Sequence, residues 1–187
     1  MSQIAACALS VVSTIFFIIG SIGYSDDNDT IENVAWLVYD DDQAYYALRA
    51  VSANNDVFKY SDCSSDTCDS CETDGKVALA FLIIAIFTTV AAAGLHGSMA
   101  SGGNDAMKIP AVVTSLLGFI ASLISVATFM GDCYVNLRDE TGIDKDKLDW
   151  GPGSILSIIG MLLMFLVTCL SCVPGQSSGG APNTGIM

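Results

Sequence analysis

Four stretches of this chain contain no Asp, Glu, Lys or Arg: Ile4–Tyr24, Val77–Ala100, Ile109–Gly131 and Ser154–Val173. About 20 helical residues cross a hydrocarbon core of roughly 30 Å, and each stretch is of that length. The expected fold is an all-α membrane protein, a bundle of four transmembrane helices, in preference to a soluble protein with buried core helices. Composition requires the same segregation: 52% of the 187 residues are hydrophobic and 14% are charged, yet the net charge is −13. The first stretch lacks a basic leading segment and exceeds the apolar core of a usual signal peptide, so it is retained as a helix.

The chain is expected to form a single unit, with helices over 4–24, 77–100, 109–131 and 154–173. A large outer loop over 25–76 carries thirteen of the twenty acidic residues, and a second outer loop over 132–153 carries six. Two helices separate these loops, which places them on one side. The other side holds the short connection Ser101–Lys108 and the tail 174–187, an uncharged Gly- and Ser-rich linker that is expected to be flexible. Two signals of orientation oppose each other. Six of the seven Lys and Arg residues lie in the large loops, which the positive-inside rule would make cytoplasmic. The clustered cysteines, the glycosylation sequon at Asn28 and the acidic run after the first helix favour an exoplasmic face. The expected location is the plasma membrane with the large loops exoplasmic.

Three of the seven cysteines are spaced C-x4-C-x2-C at Cys63, Cys68 and Cys71, and Cys133 is the fourth on the large-loop side. That spacing opens a plant-type iron–sulfur ligand run, and four thiolates also suit zinc. In an oxidising compartment the same four give two disulfides. Three cysteines cannot pair among themselves, so any full pairing ties Cys133 to the first loop. The local bridge is then Cys63–Cys71 or Cys63–Cys68, and no metal or cofactor is needed. Cys169 and Cys172 sit where the fourth helix leaves the membrane, a place for S-palmitoylation or for plain structural thiols. Cys7 is read as a packing residue.

Within the first loop, Val34–Tyr39, Ala44–Val51 and Asp56–Tyr60 are rich in branched and aromatic residues and are expected to form a small antiparallel sheet. A lone hairpin is marginal in water, which gives the disulfides a structural purpose. The densest carboxylates are Asp26, Asp27 and Asp29 with Asp40, Asp41 and Asp42 in the first loop, and Asp144, Asp146 and Asp149 in the second. They are candidates for weak Ca2+ binding or for a cation-attracting mouth. None of these groups matches an EF-hand loop, and an acidic solvated surface is the plainer reading.

The helices contain no carboxylate or amine, which argues against an ion-coupled transporter; His96, the only histidine, is expected at an interface. Thr114, Gly118, Ala121, Ser125 and Thr128 recur at helical spacing, as do Gly153, Ser157 and Gly160. Such small residues let helices approach closely, either within the bundle or between copies. No nucleophile stands beside a base, and there is neither a metalloprotease nor a phosphate-loop motif. A basic face for nucleic acid is also missing. The chain therefore reads as no enzyme.

Trp36, the pair formed by Cys63 with Cys68 or Cys71, and the order of long and short loops resemble the claudin and peripheral-myelin-protein superfamily, which includes calcium-channel gamma subunits. The resemblance implies a short inner N-terminus and a first outer loop folded as a small disulfide-bonded sheet. The residues before Cys63 are Lys59-Tyr-Ser-Asp62, where that family has Gly-Leu-Trp. A link between the two loops resembles connexin-like and innexin-like channels. The expected function is that of a structural, junctional or accessory subunit working through acidic, disulfide-braced outer loops. Its partners would be the lipid bilayer and other membrane subunits or copies of itself. The alternative is a subunit of an oligomeric cation-favouring pore.

Overall fold

The computed structural model describes residues 2–23, 25–39, 44–54, 56–102, 105–140 and 147–172. Its frame is four helices long and apolar enough to cross a membrane. They are α1 (Ser2–Gly20), α3 (Asp66–Ala100), α4 (Lys108–Thr128) and α6 (Pro152–Cys172), while α2 (Asn28–Val34) is a short helix after α1. A π-helical turn, Phe129–Cys133, carries α4 on into α5 (Tyr134–Glu140). The long helices form a ring in which α3 touches α1 and α4, and α6 closes the other side against the same two.

Small residues set the seams of this ring. On α4, Gly118, Ala121 and Ser125 are buried, whereas Thr114 and Thr128 are half-buried at the margins of the stripe. A Cβ on Gly118 would lie 3.1 Å from Thr88 and 3.2 Å from Thr89 of α3. Ser125 donates to the Ala78 carbonyl of α3 at 2.8 Å. On α6, Gly153, Ser157 and Gly160 are all buried; Gly160 receives the Phe17 ring, and Ser157 abuts Gly20 of α1. Both stripes thus face neighbours within one chain.

The sheet has the order β4-β3-β2-β1-β5 and is antiparallel throughout. Four strands come from the first loop, β1 (Leu37–Tyr39), β2 (Ala44–Tyr46), β3 (Ala50–Ala53) and β4 (Asp56–Lys59), and β5 (Leu148–Trp150) comes from the second. Leu37 pairs with Trp150 and Tyr39 with Leu148, so the two loops make one domain. The β3–β4 connection holds Asn54 at φ 54°, in the left-handed region that Asn tolerates.

Several boundaries differ from the sequence expectation. The first helix spans Ser2–Gly20 and not 4–24, because the chain turns at Gly20 to receive the Trp36 indole, whose Nε1–H donates to the Gly20 carbonyl at 2.9 Å. The second of the four expected helices, predicted to start at Val77, starts at Asp66 as α3. Ser65 caps it by accepting the Cys68 N–H at 3.2 Å, and Asp66 and Asp69 complement the positive end of its dipole. Residues 66–76 of the presumed loop are therefore helical, and Cys68 and Cys71 sit three apart on that helix. The segment Ala44–Val51 is two strands, not one. It breaks where Leu48 buries itself and its carbonyl meets Gly75 of α3 so closely that no Cβ fits there. The second loop contains the end of the π turn, α5 and β5.

Candidate functional site at the large-loop end

The large-loop end is organised around two disulfides. Cys63 bonds to Cys68 across the cap of α3, and Cys71 bonds to Cys133 of the π turn, with Cα atoms 4.6 Å apart. This local bridge was one of the two expected, and the link between the loops follows the parity argument. The α3 start is what aims the thiols. Cys68, on the first turn, bonds back to Cys63 of the preceding loop, while Cys71, one turn on, is buried and bonds to the π turn.

Trp36 fills the space beneath the sheet. It is fully buried, meets the Phe129 ring edge-on at 5.3 Å, and stands against Gly153 at the start of α6. One side chain thereby ties α1, the π turn and α6 to the strand that joins both loops. Tyr60, also buried, donates its hydroxyl to the Ala47 carbonyl at 2.9 Å; burial chiefly, with Tyr46 nearby, holds its ionisation well above the usual tyrosine range.

One buried polar atom stands out. Asp74, in the charged first part of α3 ahead of the uncharged run from Val77, is only 9% exposed, and its Oδ2 has no hydrogen-bond partner. Burial, reinforced by Asp132 of the π turn, raises its carboxyl above the ordinary range. Among the described residues no three His, Cys, Asp or Glu side chains come together in a way that would hold a metal ion.

Of the carboxylates singled out from sequence, Asp40, Asp41, Asp42, Asp144 and Asp146 lie outside the described residues, as does the tail 174–187. Asp149 is exposed on β5, opposite Val38. The Asn28 carboxamide is held at both ends: its Nδ2 donates to Glu32 at 2.6 Å and its Oδ1 accepts from Ser52. At the short-loop end, Cys169 and Cys172 are exposed thiols. Cys172 lies in a groove of about 280 Å³ with Lys108, Ile109, Val112, Val113 and Ser171.

His96 corrects the expectation of an interfacial residue, since it is fully buried among four helices. Its Nδ1 lies 2.8 Å from Gln3 of α1, and its Nε2 lies 3.4 Å from Ser115 of α4 and 3.2 Å from Ser171 of α6. Ser115 and Ser171 already donate their hydroxyl protons to the Ala111 and Val167 carbonyls. At Nδ1 the partner is the Gln3 amide oxygen Oε1, which only accepts, so the ring donates there. Sequence reading missed this knot because Gln3, His96, Ser115 and Ser171 share no spacing. The one available signal was a polar residue near the end of three of the four apolar runs.

No family model matches the chain, and no curated protein matches it significantly.

Proposed function

We propose that this chain is a non-enzymatic, multi-pass membrane protein that serves as a structural, junctional or accessory subunit, its large loops forming an exoplasmic contact platform in the plasma membrane. The observation that carries this reading is the sheet built from both loops, at the end of the bundle where Cys71–Cys133 joins α3 to the π turn. A platform held in this way presents a fixed surface, which lowers the ordering cost of binding a partner. Both outermost strands display a large exposed side chain, Phe58 on β4 and Trp150 on β5. Among the described residues these two strands pair on one side only, and such edges are natural contact elements. The layout of four long helices with a small antiparallel sheet and two disulfides at the same end supports the claudin-like likeness as an architecture, without specifying a partner.

The test is cross-linking in native membranes followed by mass spectrometry, with wild-type protein and Phe58→Asp. Adducts with a second copy or another membrane protein are expected, reduced in the variant. A chain that stays monomeric in detergent-free membrane particles contradicts the proposal. Cation-selective conductance after reconstitution would replace it with a pore subunit.

A further inference from the structure

The two disulfides differ in their access to solvent. Cys63 and Cys68 are half-buried at the cap of α3, whereas Cys71 and Cys133 are 1% and 0% exposed. A reductant in solution therefore meets the first bond and is kept from the second. The two bonds are nevertheless neighbours, because Cys68 and Cys71 stand three residues apart on α3. Helix geometry puts Cα atoms at that spacing about 5 Å from each other. A disulfide joins Cα atoms roughly 4.4–6.8 Å apart, so Cys71 lies within bonding range of Cys68 as well as of Cys133.

Both cysteines of α3 line one cavity of about 180 Å³, with Tyr46, Val51 and Tyr60 of the first loop and Leu137 of α5. Free space beside the pair gives their side chains room to change rotamer, which close packing elsewhere in the core denies. Asn136 of α5 donates to Ser70, between the two cysteines, at 2.6 Å. That hydrogen bond is a second tie between α3 and the segment after the π turn, and it does not depend on Cys133. The remaining cysteines offer no competing thiol here: Cys7 lies beside Gly97 and Cys169 and Cys172 lie at the end of α6, all towards the short-loop end.

We propose that the large-loop end is a thiol–disulfide relay, in which a dithiol reductant opens the accessible Cys63–Cys68 bond and Cys68 then attacks the buried Cys71–Cys133 bond. In the first step the dithiol gives two electrons and two protons to Cys63–Cys68 and leaves as its own disulfide. In the second, the Cys68 thiolate attacks Cys71 Sγ. The Cys68–Cys71 bond forms, the Cys71–Cys133 bond breaks, and Cys133 departs as a thiolate that takes up the proton Cys68 lost. No further electrons are consumed, and the chain ends with one disulfide and free thiols at Cys63 and Cys133. The π turn is thereby uncoupled from α3 by a reductant that never reaches its disulfide. The inference goes beyond the contact platform and rests only on the two bonds and their unequal burial.

Timed reduction of the full chain in detergent tests it, with excess dithiothreitol as the probe and each variant held below its unfolding temperature. Samples are acidified, alkylated with N-ethylmaleimide and mapped by mass spectrometry. Wild type is expected to pass through a species with Cys68–Cys71 joined and with Cys63 and Cys133 alkylated. Two variants isolate the relay thiol. Cys63→Ser and Cys63→Ser/Cys68→Ser both lack the local bond, so they share any loosening of the α3 cap and differ only in the Cys68 thiol. Loss of Cys71–Cys133 should be about tenfold faster, or more, in Cys63→Ser, because an intramolecular thiol replaces a bimolecular encounter. Equal rates in the two variants would overturn the proposal. So would reduction of Cys71–Cys133 in wild type with no Cys68–Cys71 species at any time. Each result is read without reference to cross-linking between chains, which bears on the platform alone.

Discussion

At the large-loop end, two disulfides and a sheet shared by both loops hold the helices together, whereas at the short-loop end a single imidazole reaches all three neighbouring long helices. The first arrangement is covalent and lies in the part of the chain rich in carboxylates, where water competes for every hydrogen bond. The second is a few neutral hydrogen bonds among apolar side chains, where no water competes. The difference teaches that cross-links are concentrated where the polypeptide must order itself against solvent. Close packing of Gly, Ala and Ser between the two ends needs only modest polar help.

Removing Cys71–Cys133 should have the largest effect. The bond closes a separation of 62 residues, worth about 4 kcal/mol in chain entropy. Cys63–Cys68 closes a separation of 5 residues and is worth about 2 kcal/mol on the same basis. Thermal unfolding of C71S/C133S and of C63S/C68S, each in the same detergent, should show the larger loss in the first. Equal losses would mean that the sheet alone joins the loops.

Next in size is His96→Ala, which leaves a void and deprives Ser115, Ser171 and Gln3 of their shared partner. Hydrogen bonds between membrane helices average below 1 kcal/mol each, so a loss of about 2 kcal/mol is expected with the void included. His96→Gln, which can still donate and accept, should recover part of it. Cross-linking within the large-loop end should not change.

The smallest effect concerns Asp74, and its sign is opposite. Because folding raises its pKa, the folded state favours the protonated acid. That stability is complete below the ordinary carboxylate range and is lost as pH rises through the raised folded value. At neutral pH a charged, incompletely bonded carboxylate remains buried, so Asp74→Asn should stabilise by on the order of 1 kcal/mol, a shift of a few degrees. The gap between variant and wild type should close on acidification. A variant less stable than wild type at neutral pH would show that Asp74 is paired.

What the sequence made legible follows from which forces are local. The four helices were visible because a charge-free run of about 20 residues has few other fates, and the loop-to-loop link followed from cysteine parity. The local partner of Cys63 was not determined by spacing. It depends on Ser65 and Asp66 starting α3 ahead of the apolar run, a capping signal that the search for uncharged residues passed over. The break at Leu48 was hidden for a different reason: Ala44–Val51 has uniform strand propensity, and only the close approach of Gly75, far along the chain, turns it. The contribution of β5 was likewise invisible, because Leu148–Trp150 is three residues long and pairs only with a strand from the other loop. His96 was read as interfacial because the neighbours that bury it come from three other helices.

The most direct measurement is peptide mapping of the purified protein, alkylated with and without prior reduction. The structure predicts four protected thiols, joined as Cys63–Cys68 and Cys71–Cys133, with Cys7, Cys169 and Cys172 free. Four alkylated thiols at 63, 68, 71 and 133 in unreduced protein from native membranes would contradict the locked platform and the exoplasmic placement that depends on it.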